Sequence, residues 1–374
     1  MVINLATIDF ASGASGGGGK PAVLQEKTAT VVSNGSQTIL PDEGFDGLSS
    51  VNINAAITGA SSAIDFSIIG YSDELSAELN AKFNNDVAYS KTLYDAWNPE
   101  NTSALSLYDE DTKLVFAPNI DLSNVTDTNY MFDACTHLTV VPLYNTASVT
   151  EMIGTFRYCS SLTTVPAFDT SKVTTLMNFC NGCTSLKTVP LFDTSNVTNM
   201  DSCFQNCSGL TSVPAFDTSK VTKINNCFNG CKSLTTVPEF NTSNAAILDS
   251  MFYNCASLTT INGISFKSFS ASTMNQYYIV GYSANNSIRK AVFKDIGYNS
   301  NAKQFNTSYI KNWGVNSDEI PDARQSLIDS LITYSFDRTA AGYPTCTITL
   351  STNTKALLTD DEKSQIIAKG YVIA

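Results

Sequence analysis

The cysteines are the first groups in this chain whose spacing could support chemistry: nine of the ten lie between Cys135 and Cys255. The pairs Cys180 and Cys183, Cys203 and Cys207, and Cys227 and Cys231 have separations found in zinc sites, where four thiolates or imidazoles must converge. Six cysteines, however, occupy one recurring position: Cys135, Cys159, Cys183, Cys207, Cys231 and Cys255. The position of Cys203 and Cys227 is held elsewhere by Met131, Thr155, Phe179 and Met251, so it accepts any modest packing group. Buried free thiols are therefore expected rather than a metal centre. A disulfide ladder does not fit either, because stacked strands lie ~4.8 Å apart whereas disulfide Cβ atoms lie ~3.8 Å apart. Reduced assembly inside a cell suits such thiols. Cys207→Ser is then expected to bury a hydroxyl with no assured partner.

A second column, Asp121, Asn145, Asp169, Asp193, Asp217 and Asn241, supplies oxygen ligands that would suit calcium. Local capping of the backbone is the plainer role, and the calcium reading stays open. For catalysis the inventory is thin. His137 is the single histidine and stands where Ser161, Ser185, Ser233 and Ser257 stand in other units, an odd place for a general base. Scattered carboxylates leave a glycan hydrolase as a weak third reading. Gly16 to Gly19 precede Pro21 and a strand rather than a helix start, so they make no phosphate loop. Catalytic residues, cofactors and metals are all expected to be absent.

What must position these columns is a repeat. Pro118, Pro142, Pro166, Pro190, Pro214 and Pro238 recur at one constant interval, and Leu138, Leu162, Leu186, Leu210, Leu234 and Leu258 keep the same interval. Unbroken columns at a fixed period signal a solenoid, here of six units between 118 and 261. Within a unit, Val197, Met200, Phe204 and Cys207 are spaced by three and four, which predicts a short helix. Leu210 to Val213 then forms a short strand that Pro214 closes. Thr163, Thr164, Thr188, Ser212, Thr235, Thr236, Thr259 and Thr260 decorate that strand face, where flat hydroxyl rows bind glycans or simply solvate a strand. In the third unit Cys180 takes a slot otherwise held by phenylalanine, with Phe179 beside it to fill the space.

The pattern Phe-Asp-Thr-Ser-x-Val-Thr-x-Met-x-x-x-Phe-x-x-Cys-x-x-Leu-Thr-x-Val-Pro, nearly spelled out at 192 to 214 and again at 216 to 238, resembles the BspA-like leucine-rich repeats. That resemblance implies a surface protein that binds host or matrix molecules.

The flanks read differently. Residues 1–24 form a glycine-rich arm, and 25–60 a small β module with a hairpin turn at Asn34-Gly35. The run from Lys27-Thr28 through Pro41-Asp42-Glu43-Gly44-Phe45-Asp46-Gly47 to Val51 resembles a module of tail and fibre proteins of tailed bacteriophages, which implies docking to virion proteins. Residues 61–117 are expected to be a helical neck or an N-terminal cap of the array, capped by Ser72 or Asp73 before Leu75 and Leu79 and stopped at Trp97-Asn98-Pro99. The solenoid is placed at 118–266, and 267–374 forms an α/β cap. There Asp322 caps a helix through Ile332, Cys346 to Leu350 is a strand, and a last helix runs from Lys355 to Ala368 before Gly370. The end from Lys355 to Tyr371 is similar to the C-terminal ends of other such repeat proteins. The fold class expected is α+β.

Charged residues are 15% of the chain, and the net charge of −12 repels polyphosphate, so nucleic acid is an unexpected partner. No stretch reaches the ~20 apolar residues of a membrane span, and Met1 to Phe10 lacks the charge and apolar core of an export signal. Together these observations predict an adhesive fibre of a phage virion, assembled in the host cytoplasm. It is expected to be homotrimeric through its N-terminal region, because small β modules with open edges are marginal alone. Its array would present a surface for a host-surface or environmental ligand, a glycan or a protein. The alternative is a bacterial surface adhesin.

Overall fold

The computed structural model describes residues 2–4, 28–32, 38–41 and 51–52, and then 85–374 except 87, 91, 94, 247, 269–272, 276–278, 280–286, 299, 308–309 and 311. At the N-terminus, β1 (Val2–Asn4), β2 (Thr28–Val32), β3 (Thr38–Pro41) and β4 (Val51–Asn52) form an antiparallel sheet in chain order. Val2 pairs with Thr30, so the first strand of the expected arm belongs to the sheet of the module. Val32 pairs with Thr38, leaving residues 33–37 between them. The Asn34-Gly35 turn, the glycine run and the Ser72 or Asp73 cap lie outside the described residues.

The described residues between 85 and 96 are helical, and the helix stops before Trp97-Asn98-Pro99. Asn98 makes the stop, its Oδ1 accepting the Glu100 N–H at 3.0 Å. Stacking begins directly after it rather than at the first proline. Ser103 bridges Asp127 in parallel, and the register continues through Glu151, Thr175, Asn199 and Lys223. Residues 102–117 thus stack on the first unit as an additional coil at the N-terminal end of the array. This first coil is hidden in the sequence because Asp111 stands at the cysteine position, although Leu107, Tyr108 and Leu114 keep the apolar register.

The expected short helix is absent among the described residues of the units. The segment from Thr128 to Cys135 is a run of turns in which Met131, Asp133 and Cys135 donate N–H groups three residues back, to Thr128, Tyr130 and Phe132. The alternate residues Tyr130, Phe132 and Ala134 donate instead to Ile153, Thr155 and Arg157 of the next unit. A helix would close all these bonds within itself and leave none for its neighbour. Left-handed residues make the turn run work: Tyr130 and Ala134 have φ of 55° and 56°, and the same two positions are left-handed in every following unit through Ser250 and Asn254. An apolar spacing of three and four fits both geometries, which is why periodicity alone predicted the helix.

Inside, rings stack along the array. Phe132 lies 5.5 Å from Phe156, and Phe204 5.8 Å from Phe228, with interplanar angles of 5° and 11°. At the Cys180 unit the stack changes geometry: Phe179 packs edge-on against Phe156 and Phe192 at 5.4 and 5.7 Å.

Beyond Phe266 the register of the repeat ends but parallel stacking does not. The strands β5 (Thr236–Val237), β6 (Thr260–Ser265) and β8 (Lys290–Lys294) pair in that order, with Ile261 opposite Ala291. The outer edge of β8 is closed by side chains: Trp313 Nε1 donates to the Ala291 carbonyl at 2.9 Å, and Ser330 accepts the Phe293 N–H at 2.9 Å. A second parallel sheet joins β7 (Thr273–Asn275), β9 (Gln304–Asn306), β10 (Cys346–Thr349) and β11 (Tyr371–Ile373) in the order β11-β10-β9-β7.

Two expectations for this region change. Helix α1 (Ala323–Ile328) continues as a π-turn over Asp329–Thr333, but Asp322 makes no cap bond and pairs with Lys290 at 2.5 Å instead. The expected last helix is two, α2 (Thr352–Ala356) and α3 (Asp360–Ala368), because Thr359 and Glu362 form a capping box that starts a new one.

Candidate functional site

All twelve residues of the cysteine and leucine columns are fully buried: Cys135, Cys159, Cys183, Cys207, Cys231 and Cys255, with Leu138, Leu162, Leu186, Leu210, Leu234 and Leu258. The thiols do more than fill space. Each donates to the carbonyl 27 residues earlier, as Cys207 Sγ does to Cys180 at 3.0 Å and Cys231 Sγ to Phe204 at 3.1 Å. The same carbonyl takes an N–H from its own unit, Cys183 N on Cys180 O at 3.1 Å, so thiol and amide fill both lone pairs of one oxygen.

Burial pushes the Cys135 and Cys255 thiols up to about 12 and holds Cys159, Cys180, Cys203, Cys207 and Cys231 well above the usual thiol range. They are protonated donors, poor nucleophiles and poor metal ligands. Among the described residues no three His, Cys, Asp or Glu side chains come together to hold a metal ion.

The acidic column is equally committed. In all six units the Asx oxygen accepts the N–H two residues on, from Asp121 with Ser123 at 2.9 Å to Asn241 with Ser243 at 3.2 Å. Hydroxyl and amide of Ser171, Ser195 and Ser219 hold the Asp169, Asp193 and Asp217 carboxyls below their ordinary range. These are Asx turns. His137 is exposed and meets only Thr136 Oγ1, at 3.3 Å.

One hydroxyl row escaped the sequence reading. Thr126, Thr150, Thr174, Thr198 and Thr222 each send both N–H and O–H to the carbonyl 24 residues earlier, Thr198 reaching Thr174 O at 2.9 and 3.2 Å. The signal was a threonine column in the repeat pattern, masked by the shorter strand-face run. On that strand face Thr163 is buried, Thr259 donates to Thr235 O at 3.0 Å, and Thr188, Ser212, Thr235 and Thr236 are exposed.

A family profile described as "Mycoplasma protein of unknown function, DUF285" matches residues 102–212 and 177–291, together about half of the chain. The chain belongs to the DUF285 family. No curated protein matches it significantly. The DUF285 match begins where stacking begins and ends on β8, so the family corresponds to the array and not to the flanks.

The hydrogen bonds revise one expectation for the DUF285 array. Ser at position 207 finds the Cys180 carbonyl within reach, so Cys207→Ser is expected to cost about 1 kcal/mol. Leu210→Ala, which opens a cavity, is expected to cost about 2–5 kcal/mol, and Thr211→Ala under about 1 kcal/mol. Thermal melts of the three rank them; Cys207→Ser as costly as Leu210→Ala would mean that the hydroxyl does not reach its carbonyl.

Proposed function

We propose that this protein is a binding scaffold, a leucine-rich-repeat-like solenoid that presents its outer faces to a surface ligand. The observation that carries this reading is the commitment of the repeated polar columns to the backbone: thiols and threonine hydroxyls bond the preceding unit, and Asx oxygens bond their own turn. The thiols and threonines hold units together and the Asx oxygens shape the turn within each unit, while the exposed positions vary from unit to unit, as Leu143, Ala167, Leu191 and Ala215 do in one row. Repeat arrays bind through such variable faces.

The finer reading is an appendage of a tailed-phage virion, docked through the N-terminal region as a homotrimer and released with the virion. It rests on the phage-like stretch between Lys27 and Val51. The second reading, a bacterial surface adhesin, is favoured by the DUF285 match and by the resemblance to BspA-like repeats. Antibody to residues 102–294 applied to virions and to cell envelopes separates them. Label on virions is expected; label on the envelope with bare virions would replace the fibre by the adhesin.

A further inference from the structure

A cleft of about 380 Å³ opens at the start of the array, walled by Trp97 on one side and Leu143 and Tyr144 on the other, with Asn119, Asp121 and Asn145 between. Trp97 stands one full repeat before Asp121, in the column that holds Asp or Asn in every later unit. Here an indole replaces the Asx side chain. It is held in place, because its Nε1 donates to the Asp121 carbonyl at 3.0 Å across the coil boundary. Leu143 is 63% exposed and supplies an aliphatic wall.

The polar groups between the walls keep hydrogen-bonding capacity. Asn119 has no side-chain partner among the described residues. Asn145 uses Oδ1 for the Ala147 N–H, 3.3 Å, and Asp121 uses Oδ1 for Ser123, 2.9 Å; the Asn145 amide nitrogen and Asp121 Oδ2 are left over. The Tyr144 hydroxyl is already engaged by the Pro118 carbonyl at 2.8 Å. Neither lysine, arginine nor histidine lines the cleft. An anionic ligand would meet Asp121 with nothing to neutralise it. A quaternary ammonium would use the indole but none of the amides, and wants more than one exposed ring.

A neutral sugar uses all of it. Its C–H face lies on a fixed aromatic ring, its hydroxyls donate to Asp121 and Asn119 and accept from the amides, and the volume falls in the range of small-ligand sites. We propose that this cleft binds one neutral hexose or N-acetylhexosamine unit of a glycan. This deepens the scaffold reading above by naming its ligand class.

The test uses the full chain and its two tryptophans. Trp313 is fully buried in the cap, so added ligand reports on Trp97 alone. Fluorescence titration with glucose-, galactose-, mannose- and N-acetylglucosamine-terminated oligosaccharides is expected to give a saturable shift with at least one of them. Trp97→Ala should weaken it about tenfold or more, Trp97→Phe less, and Leu191→Ala, as exposed as Leu143 but two units away, not at all. Wild-type protein that responds to no neutral sugar overturns the proposal, as does a response to choline or sialyllactose alone. Equal binding by a folded Trp97→Ala also overturns it, and if that variant does not fold, Trp97→Phe and the wild-type titration decide. Surface labelling that persists without sugar binding would remove the cleft and leave the scaffold role standing.

Discussion

Raising the pH from 8 to 11 is expected to unfold the array in a steep, cooperative step. Eight thiols between Cys135 and Cys255 are held above the ordinary thiol range by burial, Cys227 among them, and Cys135 and Cys255 reach about 12. In the unfolded chain a thiol loses its proton near about 8.5. The folded state therefore binds more protons than the unfolded state above that value. The stability these thiols provide is whole below about pH 8.5 and is lost as pH rises toward their folded values. Each contributes about 1.4 kcal/mol per pH unit in that window, and several together exceed the ~5–15 kcal/mol that holds a domain. The buried tyrosines Tyr144 and Tyr108 act in the same direction at higher pH. Melting temperature against pH checks this, with Cys207→Val expected to flatten the slope by one proton. A melting temperature that stays level to pH 11 would mean that the column is open to solvent.

Arg338→Met is expected to destabilise the cap by about 3–5 kcal/mol, because three hydrogen bonds from a charged donor are lost with the guanidinium. The guanidinium is fully buried and is held by main-chain carbonyls: Nε by Pro344 at 2.7 Å, Nη1 by Gly297 at 2.5 Å and Nη2 by Ser300 at 3.3 Å. It draws two loops onto the start of β11, where the single Tyr371 hydroxyl faces the carbonyls of both Ile296 and Phe336. Methionine keeps the stem but leaves the buried Gly297 carbonyl and the part-buried Pro344 and Ser300 carbonyls without the donors that tie them together. Arg338→Lys cannot restore them, since one ammonium lacks the planar fork that reaches three directions. Chemical denaturation of both variants measures the loss; Arg338→Met within about 1 kcal/mol of wild type would show that water replaces the fork.

The columns were legible because stacking writes the same demand into every unit: a cysteine, a leucine and a valine recur wherever the interior recurs. What the columns do was less legible. Nothing in Cys207 itself says that its thiol bonds the Cys180 carbonyl, because the two meet across a coil boundary. The missed turns did leave a trace. Asn178, Asn206, Asn226 and Asn254, with Gly154, Gly182 and Gly230, hold most positions of the two left-handed columns, and these residue types tolerate positive φ. Read as turn residues, they would have argued against a helix. The Trp97 cleft had no sequence signal, since Trp97 and Leu143 stand nearly two units apart in the chain.

The forward and backward hydrogen bonds of each unit make its two edges complementary, so that the leading edge of any internal coil fits the trailing edge of any other. A gene carrying such near-identical blocks is prone to unequal recombination, and a crossover that keeps the phase rejoins matching edges. Relatives of this protein should then differ in length by whole repeat units while their ends stay the same. Each step would lengthen or shorten the molecule by about 4.8 Å, a ruler that inheritance can reset without inventing a new fold.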